Sequence, residues 1–228
     1  MNPPVCPPVS DTSDLRHQLV DTCLAMSKLG FFIGTWGNIS VRVNGGLMVT
    51  PTKMDYDVMT DEDLVVVDWD GHRIRGERLP TSEVHLHRLV LQARPDLGVL
   101  IHSHAPWCSS IACARQSIPA LVEDMAQIIG GEVRCSKYAP GGHHMELAQA
   151  AVDAMGDHSC AALLANHGVI VGARDLGEAL VAAQVLEKAA MLYVNSHALG
   201  GTHSIPPQLV QEERERYLYK YGTTKDAE

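Results

Sequence analysis

Two histidines separated by one residue follow an apolar run in the middle of the chain. Val99 to Ile101 predicts a buried strand, and His102 and His104 come directly after it. Because side chains alternate along a strand, the two imidazoles point to the same face and can share one metal ion. Alone, such a pair is equally typical of other histidine roles.

A third histidine strengthens the case for a metal. Residues 161–171 form an apolar run that predicts one strand-like segment. His167, in the motif NHG, interrupts this run. A histidine buried there needs a polar partner. Three neutral imidazoles with an open fourth position are the usual ligands of a catalytic zinc. The pattern therefore predicts a zinc site formed by His102, His104 and His167.

Glu83 has a structural interpretation and a catalytic one. It lies in the segment LPTSEVHLH, which predicts the start of a helix with Thr81 or Ser82 as the N-cap. A carboxylate in the first turn stabilises the helix dipole, and local sequence alone favours that role. Residues 34–38 form a Gly-punctuated loop whose N–H groups could hold an anion, although most such loops are simple turns.

Length and charge limit the class of protein. The 228 residues can bury one sizeable core, so we expect a single domain over residues 11–228 after a disordered Pro-rich tail over residues 1–10. The formal net charge of −9 argues against a nucleic-acid partner. No long apolar run or signal peptide stands out, which predicts a cytoplasmic protein without a membrane partner. The six cysteines lack CxxC spacing and are expected to be free thiols.

The elements that position these residues alternate between helices and strands. Apolar periodicity predicts helices within residues 11–30, 108–115, 121–129, 145–155 and 176–199. A hairpin is expected around the turn at residues 44–46, and a third strand at residues 64–69. Residues 210–225 predict a surface helix that carries several tyrosines.

Eight motifs occur in a defined order: GTWGNISVR, TPTKMDY, LPTSEVHLH, HSHAPW, IPAL, YAPGG, ANHG and GEALVAAQVLEKAAMLY. Their order and spacing resemble the class II aldolase and adducin family over residues 15–199, in particular its L-fuculose-1-phosphate aldolase and L-ribulose-5-phosphate 4-epimerase branches. The resemblance implies an α/β (α+β) fold, a three-layer α/β/α sandwich around a mostly antiparallel central sheet. It also implies a homotetramer with active sites at the subunit interfaces.

The resemblance assigns roles by position. It implies that zinc, or Mn²⁺ or Co²⁺ in its place, is held by the same three histidines, and that Glu83 is the catalytic carboxylate, which reverses the local interpretation. The implied phosphate-binding positions are Gly37, Asn38, Thr52, Lys53, Thr81 and Ser82. A second acid/base is expected at Glu123 or Asp124. A tyrosine of the tail, Tyr217 or Tyr219, is the other candidate, since aldolases of this family use one on a mobile carboxyl-terminal tail.

The implied activity is cleavage of a ketose 1-phosphate of the fuculose, deoxyribulose or methylthioribulose type. Retro-aldol chemistry with a metal-stabilised enediolate would release dihydroxyacetone phosphate and an aldehyde. The chain departs from the aldolases at Trp36, Lys53 and Glu123, where they carry a small residue, a glycine and a tyrosine. An epimerase, dehydratase or decarboxylase on the same zinc site remains an alternative. A non-catalytic adducin-like interaction domain is another, and it predicts a degraded ligand set.

Overall fold

The centre of the protein is a seven-stranded sheet, seen in a computed structural model that describes residues 4–157 and 159–221. The strands are β1 Asn38–Val43, β2 Gly46–Val49, β3 Val65–Asp68, β4 Arg73–Arg75, β5 Val99–Ser103, β6 Ala161–Leu164 and β7 Gly168–Ala173. Their spatial order is β4-β3-β2-β1-β5-β7-β6. Each neighbouring pair is antiparallel, as the resemblance implies.

Helices connect the strands and cover the sheet. They are α1 Ser13–Lys28, α2 Val84–Ala93, α3 Pro106–Ala114, α4 Glu123–Ile128, α5 His144–Met155, α6 Leu176–His197 and α7 Pro207–Tyr219, with a 3₁₀ turn at Asp61–Asp63. None of the described helices has the length and apolar character that a bilayer crossing requires.

The sheet is buried on both faces because apolar side chains point from its strands to both sides. In β5, Val99 and Ile101 pack in one cluster with residues of α1, α3 and α6. Leu100, in the opposite phase, packs in a second cluster with residues of α2 and α5. The two clusters account for the three-layer sandwich.

Polar residues interrupt the α2 face of the sheet at one end. Asn38 and Ser40 share one phase of β1, and Asn38 lies directly opposite His102 in the ladder between β1 and β5. Ser40 and His102 are both 0 % exposed. Buried polar side chains need hydrogen-bond partners, and here the partners come from the first turn of α2 and the residue before it.

The amino-terminal segment differs from the disordered tail expected over residues 1–10. Residues 1–3 lie outside the described part, but the Cys6 amide donates to the Pro95 carbonyl at 2.8 Å and Val9 forms a parallel bridge with Val43. The prolines favour an extended backbone whose remaining N–H groups pair with the domain. At the other end α7 occupies most of the surface helix predicted over residues 210–225, of which residues 222–225 are not described.

Candidate metal centre

Three histidine side chains meet at one end of the sheet. β5 carries His102, and the segment between β5 and α3 carries His104, whose amide donates to the Phe31 carbonyl at 3.1 Å. The Nε2 atoms of His102 and His104 are 3.2 Å apart. His167 completes a group whose ligand atoms all lie within 4.8 Å of one another. The structure therefore brings together the three residues predicted as metal ligands.

His167 lies in a turn and not inside a strand, which corrects the reading of residues 161–171 as one strand-like segment. The run folds into the hairpin of β6 and β7, and Asn166 adopts a left-handed φ of 56° at its tip. Gly168 follows, where a Cβ atom would stand 2.4 Å from the Ser103 carbonyl oxygen and 2.9 Å from the His104 ring. A glycine there lets the turn approach the other two histidines.

The donor set suits a divalent metal ion. The His102 Nδ1 atom is 3.1 Å from the Val169 carbonyl oxygen, so Nδ1 carries a proton and Nε2 is the ring nitrogen that faces the other imidazoles. Burial, followed by the neighbouring imidazoles, lowers the pKa of His104 and of His167 to about 4, so both are neutral at pH 7. Converging neutral imidazoles with free lone pairs are the form in which histidine binds metal.

Glu83 adds a carboxylate to the centre. It directly precedes α2 but makes no side-chain capping bond. Its Oε2 atom lies 3.3 Å from His102 Nε2 and its Oε1 atom 3.4 Å from His167 Nε2. Burial raises the pKa of Glu83, but His102 and a hydrogen bond from Asn38 outweigh it and lower the pKa to about 2. Glu83 is therefore ionised and turned toward the histidines, unlike a carboxylate that stabilises a helix end.

A buried carboxylate from α6 holds the element that follows His104. Glu187 is 7 % exposed and accepts hydrogen bonds from the amides of Trp107 at 2.7 Å and Cys108 at 3.0 Å. These amides are orphan donors at the start of α3, so Glu187 caps that helix across the fold. This role of Glu187 was not predicted from the sequence. Its only signal is one glutamate within the otherwise apolar stripe of α6.

The predicted phosphate-binding residues lie on adjoining loops. The Thr52 amide donates to the Leu79 carbonyl at 3.0 Å, and the Thr81 amide donates to the Thr50 carbonyl at 3.0 Å. Thr50 is in turn bonded to Ile39 of β1, which joins these loops to Gly37 and Asn38. Thr81 is buried, whereas Lys53 and Ser82 are exposed. The six positions thus form one neighbourhood beside Glu83.

Three of these positions have further constraints. The Asn38 side chain donates to Glu83 at 2.7 Å and also contacts His87, so one amide hydrogen remains for a ligand. Gly37 has φ of 99° and lies against Phe32, whose ring a Cβ atom would meet at 2.3 Å. Lys53 has φ of 54°, a conformation that favours glycine.

Trp36 lies beside the histidines and faces solvent. Its ring centroid is 5.9 Å from that of His104, and the residue is 65 % exposed. Exposed aromatic surface next to a polar centre is available to an apolar part of a ligand.

Of the residues predicted as the second acid/base, Glu123 and Tyr217 do not join the histidines within one chain. Glu123 is exposed at the start of α4. The Tyr217 hydroxyl donates to Glu178 at 3.0 Å, beside Arg174 at the far end of β7 from His167. Six residues of extended strand span about 20 Å, so Tyr217 cannot reach the cluster of its own chain.

Known proteins share the sequence and the fold of this chain. The family model described as "Class II Aldolase and Adducin N-terminal domain" matches residues 17–194. An L-fuculose phosphate aldolase of Escherichia coli (strain K12) is 35% identical, covering 93% of this chain and 96% of the relative. A 5-methylthioribulose-1-phosphate/5-deoxyribulose-1-phosphate aldolase of Rhodospirillum rubrum is 36% identical, covering 93% of each chain. A solved L-fuculose 1-phosphate aldolase has a TM-score of 0.87 at 31% identity, covering 92% of this chain and 99% of the other.

Proposed function

The chain belongs to the class II aldolase and adducin family, and we propose that it is a zinc-dependent aldolase that cleaves a deoxyketose 1-phosphate into dihydroxyacetone phosphate and an aldehyde. The observation that carries the proposal is the convergence of His102, His104 and His167 with the ionised carboxylate of Glu83. A non-catalytic adducin-like interaction domain does not need a metal site, so we would not expect it to contain this set of side chains.

The three imidazoles would hold zinc, which supplies a Lewis acid for the carbonyl group of the substrate. Glu83 handles the proton on C3. In the direction of condensation its carboxylate removes that proton from dihydroxyacetone phosphate, and in the direction of cleavage it returns the proton after the C3–C4 bond has broken. The pKa of Glu83, lowered to about 2, keeps the base ionised in the resting enzyme.

The phosphate group is assigned to the loops beside Glu83. Gly37 and Thr52 offer backbone or hydroxyl donors, Ser82 adds an exposed hydroxyl next to the buried Thr81, and Lys53 adds a positive charge. Asn38 contributes its remaining amide hydrogen. A dianion held there by several donors would fix the carbon chain of the substrate over the metal centre.

We infer that the second acid/base comes from a neighbouring subunit of a homotetramer. Glu123 is exposed at the start of α4 and Tyr217 is held by Glu178, and neither meets the histidines of its own chain. The start of α4 also lines a groove with α7 that has both apolar and acidic side chains and leaves Leu209 48 % exposed. Contact between copies at this groove would bury apolar surface and bring Glu123 toward a second centre.

The aldehyde end of the substrate is proposed to be apolar. Trp36 presents a largely exposed indole 5.9 Å from the His104 ring. A methyl or methylthio group packed on that ring loses contact with water, whereas a hydroxyl group there would lose a hydrogen bond. This agrees with the deoxyketose phosphates named for the relatives.

A substrate panel tests the proposal. Zinc-loaded protein is given fuculose 1-phosphate, 5-deoxyribulose 1-phosphate, 5-methylthioribulose 1-phosphate and ribulose 1-phosphate, and dihydroxyacetone phosphate is measured with a coupled dehydrogenase. We expect release from the deoxy substrates, little from ribulose 1-phosphate, and at least a 100-fold loss in Glu83→Gln at unchanged zinc content. Epimerised, dehydrated or decarboxylated products without dihydroxyacetone phosphate would reject the aldolase assignment.

A further inference from the structure

His87 is a buried histidine behind the metal centre to which the proposed reaction gives no role. It lies in the first turn of α2, is 0 % exposed, and contacts two residues of β1. Its Nδ1 atom is 2.7 Å from the Ser40 hydroxyl, and its Nε2 atom meets the side-chain oxygen of Asn38. Asn38 in turn donates to Glu83. A continuous hydrogen-bonded chain thus runs from Ser40 to the proposed catalytic carboxylate.

The direction of each hydrogen bond follows from Glu83. An ionised carboxylate only accepts, so the Asn38 group at 2.7 Å from Oε2 must be its NH₂. The amide oxygen of Asn38 then faces His87 and needs a donor, which places the imidazole proton on Nε2. The Nδ1 atom is left as an acceptor for the Ser40 hydroxyl. One tautomer of His87 satisfies the whole chain.

This arrangement prevents the Asn38 amide from turning over. An asparagine bonded only to Glu83 would have a single hydrogen bond to oppose a 180° rotation about its last torsion angle. With the His87 N–H on its other side, rotation would set oxygen against carboxylate and NH₂ against N–H, with both hydrogen bonds lost. Burial lowers the pKa of His87 to about 3, which keeps the ring neutral and the Ser40 contact intact.

We propose that His87, supported by Ser40, is a positioning residue that locks the Asn38 amide and thereby holds the Glu83 carboxylate against the histidine centre. This rests on the proposed function for the role of Glu83, but the hydrogen-bonded chain itself does not depend on any activity. His87 is fully buried behind Asn38, so it acts through that residue and does not touch the substrate.

Two variants separate positioning from simple packing. In His87→Gln the side-chain amide can still donate to Asn38, whereas His87→Leu fills similar space without a donor. We expect His87→Leu to lower kcat about 10-fold or more, with KM within about 3-fold and zinc content unchanged, because 1.4 kcal/mol of lost transition-state stabilisation is tenfold in rate. We expect His87→Gln to recover most of the rate. Wild-type kcat in His87→Leu, or equal loss in both variants, would overturn the proposal.

The tautomer can be read without activity or metal. Nitrogen NMR of metal-free, ¹⁵N-histidine-labelled protein should show His87 protonated at Nε2 and bare at Nδ1 at neutral pH, with the signal assigned by its disappearance in His87→Gln. An Nδ1–H tautomer, or fast exchange between both forms, would overturn the proposal even if His87→Leu fails to fold. If the tautomer is as expected but the substrate panel gives no cleavage, the proposed function fails and the locked Asn38 amide stands.

Discussion

Lys53 combines a strained backbone conformation with a positive charge beside the proposed phosphate site. Its φ of 54° lies in the left-handed region, which costs a residue with a Cβ atom roughly 1–2 kcal/mol. Glycine would remove this strain. A strained conformation held at a candidate site suggests that the ammonium group is worth more to binding than the strain costs in stability.

Lys53→Gly should therefore improve stability and weaken substrate binding. We expect the free energy of unfolding to rise by up to about 1 kcal/mol, less than the full strain because glycine also loosens the unfolded chain. The KM for the ketose phosphate should rise about 10-fold. Denaturant unfolding and steady-state kinetics measure the two effects.

Lys53→Ala is the matched control, since it removes the charge and keeps the Cβ atom. It should raise KM to the same extent without the gain in stability. An unchanged KM in both variants would remove Lys53 from the phosphate site.

Some of the site residues could be found from the sequence and others could not. His102 and His104 share one face of a strand, which residue spacing alone reveals. Glu83 needed the family resemblance, because a glutamate beside a helix start is most often a dipole partner. His87 left no local signal, since its role depends on a contact between α2 and β1 that side-chain spacing does not encode.

Helix α6 supports the cluster of three histidines through its contact with α3. The Glu187 carboxylate accepts two amide hydrogen bonds at the start of α3, just after the segment that carries His104. Hydrogen bonds to a buried charged group are each worth about 1.5–3 kcal/mol. The position of His104 is therefore coupled to the integrity of this cap.

Glu187→Gln should destabilise the protein and weaken its metal site. The neutral amide offers one accepting oxygen and places an NH₂ group against an amide donor, so we expect a loss of about 2 kcal/mol in the free energy of unfolding and weaker zinc binding. Gln184→Glu, the reverse change at an exposed position of the same helix, should shift stability by less than about 0.5 kcal/mol. Equal stability and equal zinc affinity in Glu187→Gln and the wild type would show that the cap does not support the site.

Hydrophobic periodicity did not predict the strand order of the antiparallel sheet or the turn between β6 and β7. Apolar runs predicted most strands, but strand order depends on long-range packing that periodicity does not report. Residues 161–171 looked continuous because the turn holds Ala165, Asn166 and His167, of which only Asn166 is a strong turn former. The mostly antiparallel sheet was predicted from the family resemblance and not from the hydrophobic pattern.

Buried neutral histidines make the stability of the whole folded protein depend on pH. Burial lowers the pKa of His87 from its ordinary value of 6.5 to about 3. Between these values the unfolded chain binds a proton that the folded chain does not, so stability falls as pH falls. The contribution is up to about 1.4 kcal/mol per pH unit for each such histidine.

The metal-free protein should lose stability on acidification from pH 6.5 toward pH 4, and His87→Gln should lose less. Its slope of unfolding free energy against pH should be smaller by close to one proton, because glutamine does not titrate. Urea unfolding at several pH values measures both slopes. Parallel slopes would mean that His87 is protonated in the folded protein.

The metal content of the purified protein is the most direct test of the histidine centre. Elemental analysis of the wild type, His102→Ala and His143→Ala should find about one zinc per chain in the first and third and a large loss in His102→Ala, because His143 is exposed and stands outside the cluster of three. Absence of metal from the wild type after growth in zinc, or equal zinc in all three proteins, would contradict the histidine centre on which the proposed aldolase depends.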